Sequence, residues 1–272
     1  MGDASSPLIS PGAFRCIRDL FQRESGIALP AAKQALVASR LRKRLAHHKL
    51  DSFDTYCTLL AAPDAHAERR VVIDLLTTNE TYFFREPDHF VHLGDTVRPR
   101  IASRPLRVWS AASSTGEEAY SLAMTLADRC GTNNWEVLAS DLSTRVLEHA
   151  RRGIYEMNRL QHMPADYLER YCLKGTGEYA GFMRISPQLR DRVLFVEHNL
   201  LDAPSALGRF DIIFMRNVLI YFDRDTKQKI VSTAVEALVD DGLFYTGHSE
   251  SLHGLDLPLR AVSPSIYRRT TS

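Results

Sequence analysis

Four stretches of the chain set polar and charged side chains beside an apolar run. One is Val108-Trp109-Ser110-Ala111-Ala112-Ser113-Ser114-Thr115-Gly116-Glu117-Glu118. Its small side chains let a ligand approach the main chain, and the helix that follows begins with N–H groups lacking a helical partner. It lacks the glycines of a GxGxxG phosphate loop and carries two carboxylates, so an anionic cofactor is disfavoured. A ligand with a cationic end suits Glu117, unless both glutamates only complement the helix dipole. Val137-Leu138-Ala139-Ser140-Asp141 ends an apolar strand on an acid. That is a common place for a group holding ribose hydroxyls, although Asp141 is also placed to cap a helix starting near Ser143.

The third stretch runs from Asp211-Ile212-Ile213-Phe214 into Met215-Arg216-Asn217-Val218-Leu219-Ile220-Tyr221-Phe222. An Arg-Asn pair and two aromatics at the end of a buried strand are placed for ligand contact, while Tyr221 and Phe222 equally suit a core. The fourth is Leu76-Thr77-Thr78-Asn79-Glu80-Thr81-Tyr82-Phe83-Phe84-Arg85-Glu86. Here Arg85 either presents a guanidinium in a partly dry setting or pairs with Glu86 or Asp88 at the surface.

Elements must position these groups, and their periodicities divide the chain. The first part reads as helices: Ser10-Pro11 opens one carrying Phe14, Ile17 and Phe21, and Gly26 stops it. A second helix runs from about Ala31 to His48, a third is capped by Ser52 and ended by Pro63, and a fourth carries Val71, Val72, Leu75 and Leu76. From Arg107 the pattern alternates strands (107–111, 137–140, 193–196, 211–214, 243–246) with helices (117–129, 144–152, 226–239). Such alternation predicts an α/β fold with a mostly parallel sheet and flanking helices, its ligand at the carboxyl ends of the strands. Between Gly153 and Pro187, aromatics and glycines read as a helix followed by a small antiparallel insertion.

Composition narrows the class. The 272 residues, 44% hydrophobic and 25% charged, fit a folded chain of one to two domains and exclude a disordered or low-complexity polymer. Cys16, Cys57, Cys130 and Cys172 form no CxxC pair, which disfavours a zinc site or a disulfide framework. The opening MGDASSPLIS lacks the basic and apolar regions of a secretion signal, so a cytoplasmic protein with reduced thiols is expected. The formal charge of +1 provides no overall field for nucleic acid or an anionic membrane. It conceals a local patch: between Glu24 and Asp51 there is no acid, yet Lys33, Arg40, Arg42, Lys43, Arg44 and Lys49 all fall there. Taken alone, such a run is a solvated helix face.

Taken in order, Thr77-Thr78-Asn79-Glu80-Thr81, Phe83-Phe84-Arg85-Glu86, Trp109 through Glu118, Ala139-Ser140-Asp141, Arg216 through Phe222 and Gly247-His248-Ser249-Glu250 resemble the CheR family of chemotaxis-receptor methyltransferases. Ala119 departs from that pattern, standing where proline is frequent, and Glu80 and Tyr82 occupy variable places. The resemblance implies a class I methyltransferase-like sheet over residues 81–272, a β-subdomain inserted at about 154–187, and an all-helical, receptor-facing domain over residues 1–80. It implies an S-adenosylmethionine-dependent protein-glutamate O-methyltransferase that forms S-adenosylhomocysteine and needs no metal. Asn79, Thr81, Arg85, Glu117, Asp141, Asn199, Leu200, Arg216 and Asn217 would line the cofactor site, with Arg85 and Tyr221 bordering the transferable methyl group. Glu117 would hold the cofactor's amino group, Asp141 its ribose, and Asn199 with the Leu200 backbone its adenine.

In that context Arg40, Arg42, Lys43 and Arg44 would dock chemoreceptor cytoplasmic helices, and the β-subdomain would grip a receptor C-terminal peptide by strand addition or serve as a structural lid. A monomer that neither binds nucleic acid nor inserts in a membrane is expected. The alternative is a catalytically silent relative that binds cofactor and acts as a regulatory adaptor.

Overall fold

The computed structural model describes residues 8–97, 104–131, 134–160 and 162–270, so residues 1–7, part of the opening read for a signal, lie outside. The described residues form two compact units: one of residues up to Thr78 with Tyr221–Asp223, the other of Asn79–Ile220 with Arg224–Ser272.

The first unit is helical. Helix α1 (Pro11–Ser25) is capped by Ser10, whose hydroxyl accepts from Ala13 N at 3.0 Å, and ends at left-handed Gly26. It buries Phe14, Ile17 and Phe21, as the apolar spacing requires. A single 3-10 turn at Ala31–Lys33 precedes α2 (Gln34–His48), so the expected helix is tightened at its start beside Pro30. Helices α3 (Phe53–Ala61) and α4 (His66–Leu76) complete the set.

Two of the four bases assigned to receptor docking are engaged inside this unit. Arg40 Nη1 donates to the carbonyls of Leu75, Leu76 and Thr77 at 3.0–3.2 Å, satisfying the end of α4. Arg44 pairs with the nearly buried Glu68 at 2.5 Å, and Tyr56 donates to the same carboxylate. Arg42 and Lys43 are exposed. Arg40 and Arg44, at i and i+4, share the helix face turned into this unit, which leaves the pair between them to solvent.

The second unit is built on a seven-stranded sheet of order β6-β2-β1-β7-β8-β10-β9. Its strands are β1 (Leu106–Ala111), β2 (Trp135–Asp141), β6 (Val193–Glu197), β7 (Phe210–Phe214), β8 (Leu238–Tyr245), β9 (Leu259–Ser263) and β10 (Ile266–Arg269). The first five are parallel to one another, and β10 runs antiparallel to both β8 and β9. Every residue of central β7 is buried, as expected of a strand covered on both faces. Trp109 stacks on Phe210 and Phe214 on Tyr245, with ring centroids 5.4 and 4.1 Å apart. Flanking helices are α5 (Asp88–Val97), α6 (Glu117–Cys130), α7 (Thr144–Arg152), α9 (Pro187–Arg190) and α10 (Arg224–Glu236).

The insertion is a three-stranded sheet, β3 (Ile154–Glu156), β5 (Phe182–Ile185) and β4 (Cys172–Lys174), with α8 (Ala165–Tyr171) inside it. One strand therefore precedes its helix, where the sequence suggested helix first. Val239, expected in the last helix, is in β8, whose irregular start around Asp241 at φ +59 disguises the strand period. Helix α5 and the β9–β10 hairpin are not anticipated by the periodicities above.

The Glu68 carboxyl yields a stability prediction. Burial works to raise its pKa, but hydrogen bonds from Arg44, Tyr56 and His48 prevail and bring it down to about 2. Since the folded value lies below the unfolded one near ~4.3, the contribution is present above that pH and is lost as pH falls toward 2. Glu68→Gln is expected to cost about 2–4 kcal/mol in urea unfolding at pH 7, with the gap to wild type closing in acid.

Candidate active site

Chain order reverses beside β1: β2 and β6 lie on one side and β7 on the other, which makes the carboxyl ends of β1 and β7 a topological switch point. The polar stretches of the sequence converge at these strand ends. After β1 the chain makes a turn with positive φ at Ala112 (+60), Ser114 (+51) and Gly116 (+95). Positive φ at alanine and serine is uncommon and must be enforced by the surroundings. Ser113 N donates to Ser140 O at 2.8 Å, Ser114 N to Asp141 Oδ2 at 2.8 Å, and Ser114 Oγ to the Asn79 carbonyl at 3.0 Å. Asn79 and Asp141 are thus gathered at the turn. Asp141 Oδ1 also accepts from Ser143 N at 2.9 Å, so the helix-side role and the turn-side role are met by different oxygens of one carboxylate.

Glu117 opens α6 and is wholly buried. Its Oε2 accepts from Thr115 Oγ1 at 2.6 Å, whereas Oε1 has no hydrogen-bond donor among the described residues, the Arg159 guanidinium standing 3.7 Å away. Burial raises its pKa, and the Thr115 hydroxyl opposes the rise. A buried carboxylate oxygen without a donor is costly, and a ligand cation would satisfy it.

Arg216 follows β7, with a side chain 1% exposed. It donates to Glu86 Oε2 at 2.9 Å, to Glu118 Oε2 at 3.0 Å and to the Arg85 carbonyl. A buried guanidinium must be matched by acceptors, and these carboxylates hold its two terminal nitrogens, while Nε has no hydrogen-bond partner among the described residues. Neighbouring Asn217, at φ +58, donates from Nδ2 to Glu86 Oε1 at 3.2 Å and from its backbone N–H to Glu250 Oε2 at 2.7 Å. Glu250 also accepts from the Gly247 N–H at 2.7 Å and the Ile220 N–H at 3.2 Å. Burial works to raise the Glu86 carboxyl, but Arg216, Asn217 and the His248 amide hold it below the usual range.

Glu86, His89 and His248 converge with ligand atoms within 4.8 Å. Burial, then Arg216, pushes the His89 imidazole down to about 3, so it is neutral at physiological pH. Glu86 Oε2 is held by Arg216 and the His248 amide, whereas neither ring nitrogen of His89 has a hydrogen-bond partner among the described residues.

Arg85 is half-buried. It donates to the Glu80 carbonyl at 3.2 Å and lies 5.6 Å from the Tyr82 ring centroid. Glu86, one suggested partner, is taken by Arg216. Thr81 is half-buried in the same segment, and Asn199 and Leu200 follow the end of β6, where Asn199 Oδ1 accepts from Leu201 N at 3.1 Å. Tyr221 groups with the helical unit, its carbonyl accepting from Ala28 N at 3.2 Å. Sequence reasoning missed Glu86, Glu118 and Glu250 as the acids that hold the Arg-Asn pair. The Gly247-His248-Ser249-Glu250 motif was the available signal for the last.

A parallel sheet with Asp141 at the end of β2 and, at the start of α6, a buried Glu117 carboxylate with one oxygen lacking a donor fits a cofactor that combines an ammonium with a ribose, the pattern of an S-adenosylmethionine-dependent methyltransferase. Residues 79–267 match the CheR methyltransferase, SAM binding domain, and residues 12–77 match the CheR methyltransferase, all-alpha domain. The chain is 43% identical over 258 residues to Chemotaxis protein methyltransferase 2 of Pseudomonas aeruginosa, covering 93% of this chain and 91% of that one. It is 43% identical over 262 residues to the Chemotaxis protein methyltransferase of Escherichia coli, with 95% and 91% covered. With that of Salmonella typhimurium it shares 44% over 250 residues, with 91% and 86% covered. The chain belongs to the CheR methyltransferase family.

Arg216→Met removes the shared counter-charge of two half-buried carboxylates. It is expected to destabilise the protein by about 3–5 kcal/mol in chemical denaturation, with the loss smaller at a pH where Glu86 and Glu118 take up protons.

Proposed function

We propose that this enzyme transfers the methyl group of S-adenosylmethionine to glutamate side chains on the cytoplasmic helices of chemoreceptors; its relatives are named chemotaxis protein methyltransferases. The observation that carries the cofactor assignment is the buried, donor-free Oε1 of Glu117. When bound, the cofactor supplies a sulfonium-activated methyl group. Glu117 would meet its ammonium, Asp141 its ribose hydroxyls, and Asn199 with the Leu200 main chain its adenine. Asn79, Thr81 and Asn217 would close the walls, and Arg216 would act through Glu86, which also accepts from Asn217 Nδ2, to keep Asn217 in place.

The substrate glutamate has an ordinary pKa near ~4.3, so at neutral pH it is already the carboxylate nucleophile and needs no general base. What the protein must supply is alignment and partial desolvation. Arg85 would orient the incoming carboxylate, and Tyr221 would guide it by hydrogen bonding. A tight ion pair with Arg85 would stabilise the charged ground state and slow its neutralisation, so its existing contacts to a carbonyl and a ring suit restraint.

On the receptor side, exposed Arg42 and Lys43 on α2 are suited to an acidic helical partner. In the inserted sheet β4 is an edge strand, with Leu173 53% exposed, and would accept a receptor C-terminal peptide by strand addition. No helix among the described residues is long and apolar enough to cross a membrane.

Two experiments test this reading. Incubation of the protein with methyl-labelled cofactor and purified receptor cytoplasmic domains should give label released as methanol by mild base, as a carboxyl ester does and an N-methyl group does not. Glu117→Gln should weaken S-adenosylhomocysteine binding at least about tenfold by calorimetry. Cofactor binding without base-labile label on any receptor offered would favour the silent adaptor. Separately, Arg42→Glu with Lys43→Glu should raise KM for the receptor about tenfold or more while leaving cofactor affinity unchanged. A KM at wild type would move docking elsewhere.

A further inference from the structure

The inserted sheet sends one side chain to the turn after β1. Tyr155, on β3, is 1% exposed and pairs with Met183 of β5. Its hydroxyl donates to the Thr115 carbonyl at 2.7 Å. The same oxygen would stand 2.9 Å from a Cβ on Gly116, so the turn closes tightly over the phenol and the glycine is required by space as well as by φ. The Tyr155 ring also meets Phe83 edge-on at 4.9 Å between centroids. One side chain therefore touches both the 113–117 turn and the 79–85 segment, the two stretches that would hold the cofactor.

We infer that Tyr155 is a positioning residue for cofactor binding, its hydroxyl fixing the Thr115 carbonyl so that the carboxylate of Glu117 is set in place before the ligand arrives. This rests on the assignment of Glu117 to the cofactor's ammonium. The link is short, because the same Thr115 donates from Oγ1 to Glu117 Oε2 at 2.6 Å. Residue 115 is thus held from one end by Tyr155 and holds Glu117 at the other. A turn with three positive-φ residues is poorly favoured by its own chain, and an external hydrogen bond that pins it reduces the ordering that binding must otherwise complete. The inserted β3–β5–β4 sheet is in this way tied to the cofactor turn as well as offering an edge to a partner.

The neighbouring Tyr120 provides a matched control. It is fully buried, its ring centroid is 6.2 Å from that of Tyr155, and its hydroxyl donates to Ala150 O at 2.8 Å instead of to the turn. Tyr155→Phe and Tyr120→Phe each delete one buried hydroxyl and keep the ring. The full chain and both variants are to be compared by calorimetry with S-adenosylhomocysteine, by thermal unfolding, and by KM and kcat for the cofactor. Tyr155→Phe should weaken binding about five- to tenfold and raise KM for the cofactor, with kcat at saturation retained. Tyr120→Phe should lower Tm without a change in affinity. Wild-type affinity in Tyr155→Phe, or affinity lost by both variants in step with Tm, would overturn the inference. A wild-type chain that fails to bind S-adenosylhomocysteine would instead overturn the Glu117 assignment, and this inference with it.

Discussion

A guanidinium shut away from water has to be surrounded by acceptors, and in this protein that demand organises the edge of the sheet. Arg216 leaves β7 and finds Glu118 on the first turn of α6 and Glu86 after the two phenylalanines. Three segments distant in sequence are thereby fastened at one point, each a carrier of candidate ligand groups. Pairing of this kind adds little net stability compared with an apolar contact, but its geometry tolerates few alternatives. Asn217 at positive φ and Glu250, which takes three backbone N–H groups, extend the same hydrogen-bonded lattice to the end of β8.

The α/β class and the helical first part were legible because their signals are local. Apolar runs ending in small or acidic residues marked β1 and β2, an apolar run ending in an Arg-Asn pair marked β7, and Ser10 and Ser52 marked helix starts. The motif set carried the family because so many pieces occur in order. Charge pairing was not legible. Glu117 and Glu118 are adjacent and chemically identical, yet one holds Arg216 and the other keeps an oxygen without a donor. That difference arises because consecutive helix residues point about 100° apart, and nothing in composition reveals what stands on each side. Likewise Arg40 and Arg42 look equivalent in a basic run, although one caps the end of α4 and the other faces solvent.

The elements missed were those without a clean period. Helix α5 packs His89, Phe90, Leu93, Gly94 and Val97 inward, a mixture in which a histidine and a glycine blur the apolar stripe. The β9–β10 hairpin is half exposed and charged, with Arg260, Arg268 and Arg269 among its residues. Tyr155 was read only as one aromatic of the insertion, because its hydrogen bond to Thr115 spans 40 residues.

The placement of β10 has a consequence for how the chain matures. It sits between β8 and β9, and Ile266 is buried against the core through its pairing with Tyr245. The parallel strands β6-β2-β1-β7-β8 can associate during synthesis, but they then display the unpaired side of β8, with Leu243, Phe244 and Tyr245, until residues 259–269 have emerged. An open hydrophobic edge of that kind invites pairing with other chains. The catalytic unit is therefore most vulnerable to aggregation in the interval before its last hairpin folds back, and the arginines of that hairpin replace an adhesive edge with a charged one.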